Sequence, residues 1–329
     1  MLSQFGNLTY SGFMSQPKIL LVLNPTAGKG RAGRRRSEIE AALAKRGLDF
    51  ETRLTEGAWH AAELAQAAGR QGFGAILAAG GDGTLNEVLN GLMLAKEAGS
   101  PLPTLGVLPV GRANDFAFGT GIPRDLAGAV DLIADGSKEG IDVGFVKGGD
   151  YPRGRFFGNG LGVGFDALVN FAATRLRNLH GPLAYTIGAL RIFALFPLPV
   201  AVRITSEDFR WEGDCQQVSV MNGRRMGGAY FMAPEALVHD GLFDICVVED
   251  STRYEMAELI LRYAKGTQIG HPRVTMGRAS RIYLDAPLGG LAVHADGETI
   301  CERGRSIEIE CRAGALEAFI PRRPEKAGK

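Results

Sequence analysis

Cysteine is scarce and unpatterned. Cys215, Cys246, Cys301 and Cys311 are scattered through 329 residues, and no CxxC pair occurs. That argues against a disulfide framework or a cysteine-based zinc site and fits reduced thiols in a cytoplasmic chain. The five histidines are equally dispersed. Charge of one sign is missing as well: 37 Lys and Arg face 36 Asp and Glu, a net charge of +1. Nothing in that balance calls for a nucleic-acid partner. The runs "RAGRRR" and "PRRPEKAGK" are only locally basic, and solvated faces account for them better than an anionic-lipid site. The longest apolar stretch, "IGALRIFALFPLPVAV", is broken by Arg191 and two prolines, so no bilayer-spanning helix is expected. "MLSQFGNLTYSGFMSQPK" lacks the charged start and apolar core of a signal peptide. Patterning begins at Lys18, so residues 1–17 read as a disordered extension, with Met14 an alternative start. Repeats and low-complexity segments are absent.

What is present is enough apolar sequence, 45% of the chain, for two cores. From Lys18 short apolar runs alternate with helical segments: "KILLVLN", "RRRSEIEAALAKRG", "LDFETRL", "AWHAAELAQAAGR", "GAILAAG", "LNEVLNGLMLAKEAG" and "TLGVLPV". That rhythm predicts a parallel α/β sheet over 18–143. From 144 to 311 the segments read as short strands separated by turn residues, a mainly antiparallel β domain, with one helical stretch from about Ala167 to Leu195. Residues 323–329 form a basic tail.

Three loops carry the chemistry. "LNPTAGKGRAG" places Gly28, Gly30 and Gly33 at GxGxxG spacing after a strand. A dinucleotide site would also need an acidic ribose partner; Asp49 and Glu51 lie near the right distance, yet that reading leaves every later block unexplained. A Walker A loop is excluded, because no Gly-Lys-Ser/Thr closes the segment. In "AILAAGGDGTLNEVLNGL" a strand turns through Gly80, Gly81, Asp82, Gly83 and Thr84 directly into a helix whose Leu85, Val88, Leu89 and Leu92 form an apolar stripe. Successive glycines and a helix N-terminus let backbone N–H groups approach an anion. Asp82 would repel bare phosphate, so the turn suits a phosphate accompanied by a metal ion. Thr84 and Glu87 alternatively read as a capping box. The third loop, "LPVGRANDFA", brings Gly111, Arg112, Asn114 and Asp115 to the same sheet edge.

Taken in order, "LNPTAGKG", "GGDGTLNEVLNGL", "PVGRANDFA", "GNGLGVGFDA", "MNGRRMGGAYFMAPEALVHDGLFDICVV" and "HADGE" resemble the diacylglycerol kinase catalytic-domain family, which includes bacterial diacylglycerol kinases and sphingosine kinases. The resemblance covers nearly the whole chain from Lys18. It implies an N-terminal phosphofructokinase-like α/β domain for ATP, a C-terminal antiparallel β-rich domain for lipid, and an active site between them. It also implies a last strand, near 312–322, that returns to the first domain.

By the same resemblance Asn24, Gly28, Thr55 and Gly80 through Glu87, including Gly81, Asp82, Gly83, Thr84 and Asn86, would contact nucleotide, with Lys29 near the phosphates. Gly111, Arg112 and Asn114 would join them from the third loop. Asp296 of "HADGE" would be the general base, and Asp82 and Asp142 would enter a Mg–water network. A structural Mg site would use the carbonyls of Leu237 and Leu242 with the carboxylate of Asp240. One position departs from the family pattern: Arg112 stands where a threonine is usual. A guanidinium could replace the threonine's hydrogen bond with a charge-assisted contact to phosphate, or it could crowd the site.

The acceptor is expected to be a lipid alcohol. Residues Phe165 to Val200, with Arg175, Arg177 and Arg191, read either as an apolar trough with a basic rim or as core helices with solvated arginines. The resulting expectation is a cytoplasmic, ATP- and Mg-dependent kinase of diacylglycerol or a related lipid alcohol that touches the membrane surface transiently. A sphingosine or ceramide kinase and a non-catalytic lipid- or nucleotide-binding protein are the alternatives, and a homodimer is left open.

Overall fold

The computed structural model describes residues 18–176 and 182–322; the expected N-terminal extension, Arg177 and the tail 323–329 lie outside these. The first elements are β1 (Ile19–Leu23), α1 (Ala27–Arg34), α2 (Arg36–Lys45), β2 (Phe50–Leu54), α3 (His60–Ala68), β3 (Ala75–Gly80), α4 (Asp82–Glu97), β4 (Thr104–Pro109), α5 (Asp115–Thr120) and α6 (Leu126–Ala134). Their strands lie in the order β4-β3-β1-β2, all parallel. Every residue of β1, β3 and β4 is buried. Helices on both faces of a parallel sheet require that, which is why these strands read as unbroken apolar runs. α4 turns Leu85, Val88, Leu89 and Leu92 into this core. It also approaches α3 closely at Gly91, where a Cβ would stand 2.2 Å from the Ala62 carbonyl oxygen.

The chain continues through β5 (Glu139–Gly148), β6 (Tyr151–Phe157), β7 (Gly160–Gly164), α7 (Phe165–Thr174), α8 (Pro182–Leu195), β8 (Val200–Thr205), β9 (Arg210–Met221), β10 (Phe243–Glu249), α9 (Arg253–Lys265), β11 (Val274–Ala279), β12 (Arg281–Asp285), β13 (Leu291–Ala295), β14 (Glu298–Gly304) and β15 (Ser306–Ala318). Antiparallel pairing runs β14-β13-β7-β9-β8-β12-β15, with β10 and β11 branching from β9 and β5 and β6 from β15. This part has its own core around Phe157, Val218, Phe243 and Leu284.

Two long strands join the parts. β15 pairs with β12 and β5, and its end runs parallel to β4, Ala318 opposite Leu105. Leu316, Phe319 and Ile320 consequently sit in the N-terminal core. β5 is continuous through residue 143, so no break in secondary structure marks that position.

The helical content of the second part differs from the sequence expectation. In place of one stretch there are two helices, and Pro182 occupies the first position of α8, where its missing N–H costs nothing. α9 was not anticipated. Its signal is nevertheless in the chain: Thr252 and Glu255 form a reciprocal capping box, and Gly266 closes the helix in the left-handed conformation.

Candidate active site

Strand register decides which loops meet at the parallel edge. Leu23 stands opposite Leu54 and Ala79, and Gly80 opposite Pro109. Asn24, Thr55, the turn from Gly80 to Thr84 and the turn from Gly111 to Asn114 therefore share one rim, the usual ligand edge of an open α/β sheet. The loops are stitched together by backbone bonds. Asn24 N–H donates to the Ala79 carbonyl (3.1 Å), Thr55 N–H to Leu23 (3.0 Å) and Gly111 N–H to Gly80 (2.8 Å). Gly111 has no room for a side chain, since a Cβ would lie 2.4 Å from the Gly81 Cα. Arg31 adds a side-chain clamp, with Nη2 3.2 Å from the carbonyls of both Val110 and Gly111.

Asn24 Nδ2 donates to the Thr84 hydroxyl at 3.1 Å, and Asn24 Oδ1 accepts from the N–H and O–H of Thr26. The capping-box reading of Thr84 and Glu87 does not hold. α4 starts at Asp82 with Gly81 as its N-cap and no side-chain cap, and Glu87 instead accepts from the Ala61 N–H at the start of α3. With no capping side chain, the first amides of α4 are left for an anion to occupy. Gly28, Lys29 and Gly30 are consecutively left-handed (φ 62°, 61° and 76°), with Lys29 exposed on that turn. Asn114, also left-handed, donates to the Pro109 carbonyl, and the Arg112 side chain is exposed at the rim.

Between the two parts lies a cleft of about 440 Å³, lined among others by Asp82, Asn86, Asp115, Asn159, Asn170 and Asp296. Asp296 sits in the β13–β14 turn with a left-handed φ of 47°. Its Oδ1 accepts from the N–H groups of Asn159 and Gly160, both at 3.0 Å. Its Oδ2 accepts from the Gly158 N–H at 2.7 Å and from Asn86 Nδ2 at 2.9 Å. Four donors hold the carboxylate in one orientation.

Asp82 lies under opposite conditions. Burial, reinforced by the charges of Asp115 and Asp296, pushes its carboxyl up to about 7, against backbone bonds from Phe116, whose N–H is 3.3 Å away, and from Asp115. Asp115 is likewise pushed upward by burial, opposed by Arg225, which forms a buried ion pair with it at 2.7 Å. Arg225 comes from the β-rich part, bonds the Ala113 carbonyl and lies 3.9 Å from the centre of the Phe118 ring. Mutual repulsion among these carboxylates is the condition that a divalent cation relieves. Among the described residues no three acidic, His or Cys side chains form a cage. Asp82 is the carboxylate here that would hold a divalent cation, which would supply positive charge against phosphates.

Asp142 is placed elsewhere than expected. It is buried outside the cleft lining, and its two carboxylate oxygens accept 2.7 Å bonds from the N–H groups of Gly241 and Gly314. Its N–H donates to the Val238 carbonyl, so it braces the Leu237–Leu242 turn rather than the Asp82 loop. In that turn Asp240 accepts from the Leu242 N–H and pairs with Arg278. Nearby, Asp244 Oδ2 is buried without a partner and burial raises its carboxyl to about 6. This surplus of negative charge, only partly met by Arg278, fits a cation held by Asp240 with backbone carbonyls.

Comparison with known proteins agrees with this layout. Residues 18–146 match the diacylglycerol kinase catalytic domain, and residues 160–320 match the YegS C-terminal NAD kinase beta sandwich-like domain. A Xanthomonas campestris protein named "Probable lipid kinase YegS-like" is 33% identical over 303 residues, 92% of this chain and 95% of its own. A diacylglycerol kinase of Mycobacterium tuberculosis is 32% identical over 307 residues, 93% of this chain and 96% of its own. The chain belongs to the diacylglycerol kinase/YegS family of lipid kinases. A crystal structure of a diacylglycerol kinase from Bacillus anthracis shares the fold, with a TM-score of 0.69 at 23% identity, covering 93% of this chain and 97% of that one.

A second, small apolar hollow adjoins the cleft. Phe165, Val169, Met226, Met232, Met256, Ile260 and Tyr263 line it, and Met226 also lines the cleft. The apolar and aromatic residues from Phe165 to Val200 drew attention to α7 and α8, but α9 and the segment carrying Met226 complete the wall, and no periodicity announces the latter. Arg155, Asn159 and Arg225 also escaped notice as site residues. Arg225 lies in a recognisable block, whereas Arg155 carries no sequence signal.

Proposed function

We propose that the protein is an ATP- and Mg-dependent kinase that moves the γ-phosphoryl group of ATP to the hydroxyl of diacylglycerol or a related lipid alcohol. One observation carries this reading: Asp82 from the parallel edge and Asp296 from the β hairpin face the same cleft, beside an apolar cavity. In phosphoryl transfer a protein mainly positions the groups and balances charge. The uncapped α4 N-terminus and the loops of Asn24 and Gly111 would hold the phosphates, with Thr55 beside the nucleoside. Ionised Asp82 would face the Mg that accompanies them, and that cation would offset charge on the transferring group. Asp296, already oriented by four N–H donors, would accept the hydroxyl proton as the new O–P bond forms and ADP leaves. The methionine-lined apolar wall beside the cleft would face the acyl chain.

No helix among the described residues is long and apolar enough to cross a membrane. Leu198 and Leu288, 87% and 91% exposed, line one surface recess with Arg303. That combination supports transient contact with an anionic lipid surface. The test is transfer from γ-labelled ATP into an extracted lipid mixture in detergent micelles, comparing the protein with Asp296→Asn. A labelled phospholipid that disappears in the variant supports the reading, and its identity separates diacylglycerol from sphingosine or ceramide. Absence of any labelled lipid together with absence of nucleotide binding sinks it.

A further inference from the structure

Arg155 is buried, only 4% exposed, yet no carboxylate holds it at hydrogen-bond distance; Glu298, 51% exposed, is 3.7 Å away. Its Nε is buried without a partner. A guanidinium removed from water in this way costs stability unless its position serves something else. Its contacts show what it serves. Nη2 donates to Asn86 Oδ1 at 2.9 Å, and Nη1 donates to the Tyr151 hydroxyl at 2.9 Å. The plane is covered by Trp59, 4.5 Å from the ring centre, and by Tyr151 at 5.3 Å.

The bond to Asn86 settles an orientation. With Oδ1 engaged by Arg155, and by Asn90 at 3.2 Å, the Asn86 amide must direct its NH2 at Asp296 Oδ2. Asn86 is the one side-chain donor among the four groups holding Asp296; the others are backbone amides fixed by the fold. Without Arg155 only the longer bonds, from Asn90 Nδ2 at 3.2 Å and to the Phe156 carbonyl at 3.4 Å, keep the amide in this orientation, and it holds the carboxylate less firmly. Trp59, held at φ 65° in the loop that follows Thr55, covers the guanidinium from the other half of the molecule.

We propose that Arg155, capped by Trp59, is a positioning residue for phosphoryl transfer that acts through Asn86 on Asp296 and ties the loop after Thr55 to the acceptor-side carboxylate. This rests on the kinase reading above. The experiment is a double-mutant cycle of Arg155→Gln and Asn86→Ala, with Arg155→Lys, Trp59→Phe and Trp59→Ala alongside, measuring kcat and the KM for ATP and for lipid.

Arg155→Gln is expected to lower kcat about 10- to 100-fold with KM for ATP changed less than about threefold, an effect that vanishes in the Asn86→Ala background. Arg155→Lys, lacking the planar fork, should resemble Gln if it folds, as judged by retained nucleotide binding. Trp59→Phe should keep most of kcat and Trp59→Ala should not. A loss of the same size in both Asn86 backgrounds, or one that falls on KM for ATP, overturns the proposal while leaving the kinase reading intact. Absence of transfer by the unsubstituted protein overturns both.

Discussion

The parallel and antiparallel halves each bring a carboxylate to the same cleft, and the two are held in opposite ways. Asp82 starts a helix at the parallel edge, set among other acids with only backbone donors to offset them, and its proton affinity rises to about 7. Asp296 turns a β hairpin and receives four N–H bonds. The first is left short of positive charge and suits a cation with phosphates; the second is fully hydrogen-bonded and suits a fixed proton acceptor. A single cleft thus separates two carboxylate roles by environment rather than by residue type.

The harshest way to break this contrast is to neutralise the saturated member. Asp296→Asn replaces an acceptor oxygen by an NH2 facing backbone donors and would remove the proposed base. Transfer rate is expected to fall about 10²- to 10⁴-fold with nucleotide binding retained, as measured by labelled-phosphate transfer and calorimetry. Cutting the strut between the halves comes next. Arg225→Met leaves Asp115 buried without its counter-charge and should cost about 3–5 kcal/mol in urea unfolding. A loss below about 1 kcal/mol would show that Asp115 is not held by that pair.

Neutralising the other carboxylate sharpens the comparison through pH. The folded Asp82 value of about 7 lies above its ordinary 3.8, so the folded chain binds the extra proton between these values. Stability contributed by that proton is present at acid pH and lost as pH rises through about 7. Asp82→Asn should remove this decline, giving a higher melting temperature than the unsubstituted protein at pH 8 and a smaller difference near pH 4. In the unsubstituted protein Mg-nucleotide affinity should rise through the same range, and calorimetry at several pH values would register its disappearance in Asp82→Asn. The smallest effect concerns Glu87. Glu87→Gln keeps an acceptor for the Ala61 N–H and should cost under about 1 kcal/mol, whereas Glu87→Ala should cost about 1 kcal/mol in chemical denaturation.

Much of the parallel half was legible because its instructions are local. Apolar runs mark buried strands, and Gly80 marks a position where a Cβ would stand 2.3 Å from the Thr84 hydroxyl. The antiparallel half was read less well. The capping signal of α9 was present in "STRYEMAEL" and passed over. The resemblance placed Asp142 in a Mg–water network, yet its carboxylate serves Gly241 and Gly314, partners 99 and 172 residues away. Glu87 looked like a cap for its own helix because Thr84 stands three residues before it. Only the packing of α3 on α4 brought the Ala61 N–H within 3.2 Å and gave that carboxylate a different partner.

By itself the sequence determined what depends on neighbours along the chain: the strand and helix periods, the glycine turns, and the block order that placed it among lipid kinases. Tertiary structure decided what depends on pairing across the chain. Asp296 becomes a four-bond carboxylate only because the β7 start and α4 converge on it from 136 to 210 residues away. Asp82 acquires its raised proton affinity only because burial and two distant acids surround it. Electrostatics and hydrogen-bond saturation are properties of an assembled environment, and no local pattern of residues encodes them.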